Sequence, residues 1–287
     1  MEATQLAART RVAMVEPPSA RVQADLADLR AEPRRDSELV DQAHLGEALR
    51  VLGAAGGWRY VQGEDQYFGW ISADDIHEPP ARSPSGVVAV LLADVHERAS
   101  FSSAVIARLP AGTRPSGRVR AVRLGDPEER ARDWMEVVFS PPGGVRTGYV
   151  ATGDLTRRDE VPSRYPTPDD LIATAEPFLG APYLWGGTTV RGLDCSGFVQ
   201  QVYRLNGVGL PRDADQQALF GRAVERASRG DLLFFGADRV THVALATSES
   251  EFLHAPQSGA VVERGTLGPE RRLRTIRRYF PDYVRET

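Results

Sequence analysis

One short sequence pattern occurs twice in the first half of the chain, and it constrains the fold more than any other feature. The first copy spans residues 58–76 and the second residues 134–155, and one three-residue insertion in a loop aligns them. Each copy opens with a tryptophan and contains short apolar runs separated by turn residues, which is typical of strands in small all-β folds. Because a repeat of this kind indicates two copies of one module, we predict two β-domains, at residues 1–80 and 86–158.

Two stretches rich in turn-forming residues divide the chain. Residues 77–86 read HEPPARSPSG and residues 157–168 read RRDEVPSRYPTP. Such clusters of proline, serine and charged residues are typical of linkers. We therefore place a third domain at residues 167–287.

The only cysteine of the chain, Cys195, stands between a glycine-rich loop and an amphipathic segment. Apolar residues recur after it at helical spacing until Asn206 and Gly207, which are typical of a helix end. Asp194 is placed as the N-cap, so that Cys195 lies in the first turn. There the unpaired backbone N–H groups and the helix dipole favour a thiolate over a thiol. Most free cysteines are buried apolar residues, but this setting indicates a nucleophile with a lowered pKa.

Two of the five histidines lie downstream of Cys195 in segments with strand character. His242 alternates with small residues in RVTHVALAT, and His254 follows twelve positions later, so the two strands could pair as a hairpin. The His242 imidazole would pair with the thiolate and later protonate the leaving amine. His254 would fix the tautomer of His242. A single histidine on a strand is more often structural, but together with Cys195 the two histidines indicate a catalytic site.

Four motifs in this order, LDCSGF, GDLLFF, THVALA and FLHAP, resemble the NlpC/P60 cysteine peptidases. The repeated tryptophan pattern resembles bacterial SH3 (SH3b) domains. Taken together, the chain resembles the YkfC-type γ-D-glutamyl-L-diamino-acid endopeptidases. The resemblance implies an α+β protein in which a papain-like NlpC/P60 domain is preceded by two small all-β SH3b-like barrels. It implies Cys195 as nucleophile, His242 as base and His254 as the residue that orients it.

The resemblance also implies roles for residues near the nucleophile. Tyr183 matches the family's tyrosine whose hydroxyl reaches the active site, where it would stabilise the oxyanion together with the Cys195 amide. Alternatively, Tyr183 is a loop aromatic that packs on Trp185. Asp194 and Ser196 would line the site for the D-Glu residue of the substrate.

Three further residues are candidates for binding the amino end of the substrate. Asp213 matches the acidic residue that receives the N-terminal ammonium, although it could also be an ordinary helix N-cap. In the first β-domain we expect Glu32 to supply a second acid, with Tyr67 beside it and Glu47 as a rival. Most surface glutamates are merely solvated. A pocket closed in this way would select small free peptides over intact cell wall.

The resemblance implies a cysteine endopeptidase of peptidoglycan recycling. Its substrate would be a muropeptide with a free N-terminal L-Ala, and the bond cleaved would be the one between γ-D-Glu and the diamino acid. Two alternatives remain open. One is an exported wall hydrolase or amidase that uses the same Cys-His-His site, and the other is a non-catalytic wall-binding scaffold.

Composition limits the partners of the chain. The net charge is −4 and the pI is near 5.8, so we expect neither nucleic acid nor a membrane surface as partner. A single cysteine excludes an intramolecular disulfide, and without a Cys/His cluster we expect no metal and no other cofactor. The chain shows neither a secretion signal nor an 18-residue apolar run, so we expect a cytoplasmic protein, and we expect a monomer.

Overall fold

The structure is a computed structural model that describes residues 19–78, 86–115, 117–120, 134–139, 144–157, 166–268 and 270–280. The outermost residues of the first and third predicted domains and most of both predicted linkers lie outside the described residues. The chain divides into two compact units. The described residues of both predicted β-domains fall in the unit Met14–Val161, and those of the predicted peptidase domain fall in the unit that contains Pro162–Thr287. The domain boundaries themselves stay a prediction.

The first β-module contains seven strands, all paired antiparallel in the order β3-β2-β6-β5-β4-β1-β7. They are β1 Ala20–Val22, β2 Leu26–Arg30, β3 Leu39–His44, β4 Ala48–Ala55, β5 Trp58–Gln62, β6 Phe68–Ser72 and β7 Ile76–His77. Side chains alternate between core and solvent along the strands, as in β2, and the inward residues include Leu29, Leu49, Val61 and Ile71.

The described part of the second β-module repeats this arrangement with seven strands. They are β8 Gly86–Val88, β9 Leu92–His96, β10 Val105–Pro110, β11 Gly117–Arg120, β12 Trp134–Phe139, β13 Arg146–Ala151 and β14 Leu155–Arg157. Five of them form a sheet in the order β10-β9-β13-β12-β11, and β14 pairs with β8. In both modules, two strands are followed by a 3₁₀ turn and a short strand, which is the element order that the sequence repeat predicts.

The β-modules differ from the prediction in one respect, because their sheets are not closed into barrels. Among the described residues, the outer strands β3 and β7 of the first module pair only with β2 and β1. β7 has two residues and stands at the edge of the sheet beside β1. The SH3-like strands are present, but the sheet that they form is open.

In the described part of the unit that contains the predicted peptidase domain, three helices accompany a six-stranded antiparallel sheet of order β17-β22-β18-β19-β20-β21. The helices are α1 Pro168–Ala175, α2 Cys195–Leu205 and α3 Ala214–Gln217. The strands are β15 Thr188–Thr189, β16 Gly192–Leu193, β17 Arg222–Val224, β18 Leu232–Phe235, β19 His242–Ala246, β20 Glu251–His254, β21 Glu263–Thr266 and β22 Leu273–Arg278. The longest of the described helices, α2, has 11 residues, and none of them could cross a bilayer.

Two features of this unit position the site. Strands β18 and β19 are buried along almost their whole length, and α2 packs against β19. Strand β21, which pairs with β20, begins at Glu263. Gly259 adopts a positive φ of 83° in the preceding turn, and the Val262 N–H donates to the Ala181 carbonyl instead of to a sheet neighbour.

Candidate active site

The N-terminus of α2 is built around Asp194, which caps it as predicted. The Asp194 carboxylate accepts hydrogen bonds from the backbone N–H groups of Gly197, at 2.7 Å, and of Gly186, at 2.9 Å. It therefore satisfies one free donor of the helix and fixes the preceding loop at the same time. Cys195 is the first residue of α2 and is buried there.

Glycines let the loop approach this helix closely. A Cβ atom on Gly197 would lie 2.2 Å from the carbonyl oxygen of Gly187, and one on Gly187 would lie 2.4 Å from the carbonyl oxygen of Gly192. No residue with a side chain fits at such distances. The glycines of the loop and of the DCSG motif therefore set how deeply Cys195 is buried.

Strand β19 contacts Cys195 and carries His242, the predicted base. The backbone N–H of Val243 donates a hydrogen bond to the sulfur of Cys195. His242 precedes Val243 and is the first residue of β19. The strand that contacts the sulfur is thus the strand that carries the imidazole.

His242 and His254 are hydrogen-bonded to each other, as the hairpin prediction requires. Nε2 of His242 lies 2.8 Å from Nδ1 of His254, with the ring planes at 77°. Their strands pair antiparallel, with Leu245 opposite Leu253. Because Nε2 of His242 is occupied, Nδ1 is the ring nitrogen left for the predicted proton exchange with Cys195.

The pKa shifts of Cys195 and His242 contradict the prediction that Cys195 is a thiolate in the free protein. Burial raises the pKa of the Cys195 thiol to about 11, and the negative charge of Asp194 adds to the rise. Burial also lowers the pKa of His242 to about 3, and the charges of His254 and Arg271 act in the same direction. Desolvation therefore outweighs the helix N-terminus, and both groups are neutral near pH 7.

Tyr183 lies near the nucleophile with its hydroxyl protonated. Burial raises the pKa of Tyr183 to about 12, and the charges of Cys195 and Asp194 contribute to the shift. The Tyr183 backbone is fixed by donation from its N–H to the Ala260 carbonyl, at 2.9 Å. A protonated hydroxyl could donate to an oxyanion, although this role stays a prediction.

Arg212 is a site residue that sequence reasoning missed. Its guanidinium is 1% exposed and bonds both carboxylate oxygens of Asp194, at 3.0 and 2.7 Å, and the Ser196 hydroxyl, at 2.9 Å. Burial alone would raise the pKa of Asp194, but Arg212 and the capping N–H groups hold it below its usual value. From the sequence, only the neighbouring Asp213 was given a predicted role.

Asp194 and Ser196, which we predicted to line the substrate site, both belong to this hydrogen-bond network. Asp194 and Ser196 are both buried, and each directs its side chain to Arg212. Their side chains therefore hold α2 and the loop in place, and contact with the D-Glu residue of a substrate stays a prediction.

Asp213 stands at the N-cap position of α3 but makes no capping hydrogen bond with its side chain. The Gln216 amide approaches its carboxylate at 3.4 Å. The structure therefore does not support the alternative that Asp213 caps α3 with its side chain. Its role in binding the N-terminal ammonium of a substrate stays a prediction.

The remaining predicted residues lie in the other compact unit. Glu32 is exposed and pairs with Arg34 at 3.0 Å, just after β2. Tyr67 directly precedes β6. Because β2 and β6 are antiparallel neighbours, Glu32 after β2 and Tyr67 before β6 lie at the same end of this strand pair. Glu47 is buried in the turn between β3 and β4. Their roles toward a substrate stay predictions.

The part of the chain that the structure describes contains no candidate metal site. There, no three His, Cys, Asp or Glu side chains are grouped so that they could hold a metal ion.

Two family profiles match the chain. The profile of the NlpC/P60 family matches residues 180–277, which include Cys195, His242 and His254. The profile of the bacterial dipeptidyl-peptidase Sh3 domain matches residues 29–76, within the first β-module.

Known proteins are similar to the chain over different lengths. A Bacillus cereus protein named gamma-D-glutamyl-L-lysine dipeptidyl-peptidase is 28% identical over 277 residues, which cover 85% of this chain and 76% of that protein. An Escherichia coli protein named murein DD-endopeptidase MepS/murein LD-carboxypeptidase is 39% identical over 140 residues, which cover 47% of this chain and 68% of that protein. The crystal structure of a Bacillus cereus NlpC/P60 family protein aligns with a TM-score of 0.74 at 24% identity and covers 92% of this chain and 100% of that one. This last likeness concerns the fold.

Proposed function

The chain belongs to the NlpC/P60 family and is a peptidase, and we propose that it cleaves the bond between γ-D-Glu and the following diamino acid in muropeptides with a free N-terminal L-Ala. The observation that carries the proposal is the arrangement of Cys195 at the start of α2 beside β19, with His242 bonded to His254 at 2.8 Å. The choice of substrate is supported by the relative named gamma-D-glutamyl-L-lysine dipeptidyl-peptidase, whose similarity extends over 85% of the chain.

The reaction begins from the neutral thiol and imidazole. Nδ1 of His242 takes the thiol proton as the sulfur of Cys195 attacks the γ-carbonyl carbon of D-Glu. The resulting oxyanion would accept hydrogen bonds from the Cys195 N–H and the protonated hydroxyl of Tyr183. His242 then gives its proton to the departing amine of the diamino acid. Water, activated by the same imidazole, hydrolyses the thioester and releases L-Ala-γ-D-Glu.

Recognition of the free amino terminus would fall to acidic side chains. Asp213 is the candidate in the peptidase unit, next to the buried Arg212. Glu32 and Tyr67 are the candidates in the first β-module. A peptidase with this preference would act on small peptides released from the wall, which is the basis for proposing a recycling role in the cytoplasm.

Cleavage of one synthetic peptide tests the proposal. The full chain is incubated with L-Ala-γ-D-Glu-meso-diaminopimelate or with its N-acetylated form, and the products are identified by mass spectrometry. We expect the free-amine peptide to yield L-Ala-γ-D-Glu and diaminopimelate, the acetylated peptide to remain intact, and Cys195→Ala to be inactive.

Three other outcomes would contradict it. Equal cleavage of both peptides would remove the requirement for a free amino terminus. Cleavage of intact wall without cleavage of the tripeptide would favour an exported wall hydrolase. Identical products from the wild type and Cys195→Ala would leave a binding function only.

A further inference from the structure

The far nitrogen of His254 is buried without a hydrogen-bond partner. Nε2 of His254 has no partner within hydrogen-bonding distance, whereas Nδ1 of the same ring is bonded to His242. Buried polar atoms are almost always hydrogen-bonded, because an unsatisfied one loses its interaction with water and gains nothing in return. An orphaned nitrogen in the catalytic pair therefore indicates a partner that completes the arrangement when the site works.

Which nitrogen of His254 carries the proton decides whether His242 can act as a base. Both rings are neutral near pH 7, because burial lowers the pKa of His242 to about 3 and that of His254 to about 4. If Nε2 of His242 donates, Nδ1 of His254 accepts, and the proton of His254 sits on its Nε2. Nδ1 of His242 is then bare and can take the thiol proton. In the opposite tautomer pair, Nδ1 of His242 already holds a proton and cannot act as a base.

Glu263 is placed to select the productive pair. It is the direct cross-strand partner of His254 in the β20–β21 ladder, and its carboxylate oxygen lies 3.8 Å from Nε2 of His254. The ladder fixes both backbones, so a rotation of the half-exposed Glu263 side chain can shorten this distance to a hydrogen bond. A carboxylate only accepts, and it therefore favours the tautomer with the proton on Nε2 of His254.

We propose that Glu263 is a positioning residue that acts through His254 to keep Nδ1 of His242 free for the Cys195 proton. The proposal rests on the peptidase function proposed above. It links the two hydrogen-bonded imidazoles to a carboxylate on β21, the edge strand of the sheet.

The positive charge of Arg271 acts on both histidines and gives a carboxylate beside His254 a further role. Arg271 lies 4.9 Å from the centroid of the Phe252 ring, and that ring packs edge-on against His254. The positive charge of Arg271 opposes protonation of both histidines. Since His242 becomes an imidazolium during the reaction, the negative charge of Glu263 offsets this opposition.

The test compares Glu263→Leu and Glu263→Gln with a matched control, Glu251→Leu. Glu251 is an exposed glutamate at the start of the neighbouring strand β20, where it pairs with Thr266. Each full-length variant is assayed on the free-amine tripeptide for kcat and KM, and the tautomers are read from ¹⁵N-histidine NMR of the free protein. The Glu263 side chain is 54% exposed, so both variants at this position are expected to fold.

We expect Glu263→Leu to lower kcat roughly tenfold with little change in KM, the scale of one charge-assisted hydrogen bond that is partly open to water. Its NMR spectrum should shift toward a proton on Nδ1 of His254. Glu263→Gln keeps an oxygen that can accept, so it should retain the wild-type tautomer and most of kcat, and Glu251→Leu should match the wild type.

Wild-type tautomers in Glu263→Leu would overturn the proposal, as would equal losses of kcat in Glu263→Gln and Glu263→Leu or in the control. If the wild type did not cleave the tripeptide, the function proposed above would fail, and the NMR signals alone would decide the role of Glu263.

Discussion

Arg212 and Asp194 form a buried ion pair beside the nucleophile, with side chains 1% and 7% exposed and 2.7 Å between the charged atoms. Removing one member of such a pair leaves an uncompensated charge in the interior, which costs about 3–5 kcal/mol. We expect Arg212→Leu to lower the free energy of unfolding by about this amount at pH 7, measured by chemical denaturation. Arg212→Lys should also destabilise the protein, because an ammonium cannot reproduce the bidentate contact.

The loss of stability in Arg212→Leu should depend on pH, in a direction set by the pKa of Asp194. Its folded pKa is held below the usual value, so the pair contributes stability that is present above the unfolded pKa of about 3.9 and is lost as the pH falls through the folded pKa. Without Arg212, burial raises the pKa of Asp194. The difference between the wild type and Arg212→Leu should therefore shrink from pH 7 to pH 4.

A surface pair provides the control for Arg212→Leu. Arg229 and Asp169 lie 2.6 Å apart, but their side chains are 46% and 83% exposed. Arg229→Leu should change stability by at most about 1 kcal/mol. Equal effects of the two leucine substitutions, or a loss at Arg212 that does not vary with pH, would show that the Arg212 pair is not the buried charge pair described above.

At the scale of elements, the contact between α2 and its preceding loop depends on Gly197. A Cβ there would lie 2.2 Å from the Gly187 carbonyl oxygen, which is backbone and cannot move without moving the loop. We expect Gly197→Ala to destabilise the protein by about 1–3 kcal/mol and to abolish most activity. Gly209→Ala is the control, because nothing lies within 4 Å of its Cβ position. Thermal unfolding and kcat measure both, and similar behaviour of the two variants would contradict this account.

The same elements show how far the sequence can predict the site. Local signals were sufficient for the N-cap at Asp194 and for the strands that carry His242 and His254, because each depends on a few neighbouring residues. The partner of Asp194 was not predictable, since Arg212 lies 18 residues away and its burial depends on packing. The thiol pKa was predicted in the wrong direction for a similar reason, because desolvation depends on everything that surrounds Cys195.

At the scale of the whole molecule, the described parts of the two predicted β-domains lie in one compact unit. Leu45, in the turn between β3 and β4 of the first module, is 4% exposed and packs in the core of the second module, with Val88, Leu109 and Val137. The Arg114 guanidinium of the second module also pairs with Glu64 of the first, at 2.6 Å. The two modules should therefore unfold together.

Truncation of Leu45 tests this coupling. Leu45→Ala removes apolar atoms from a core shared by the two modules, so it should destabilise the unit by about 2–5 kcal/mol. Hydrogen exchange should show amides of β2–β6 and of β9–β13 losing protection together. Leu52→Ala is the matched control, because this leucine of β4 is 44% exposed, and its effect should stay within about 0.5 kcal/mol. If only β9–β13 lost protection in Leu45→Ala, the two modules would be independent folding units that merely touch.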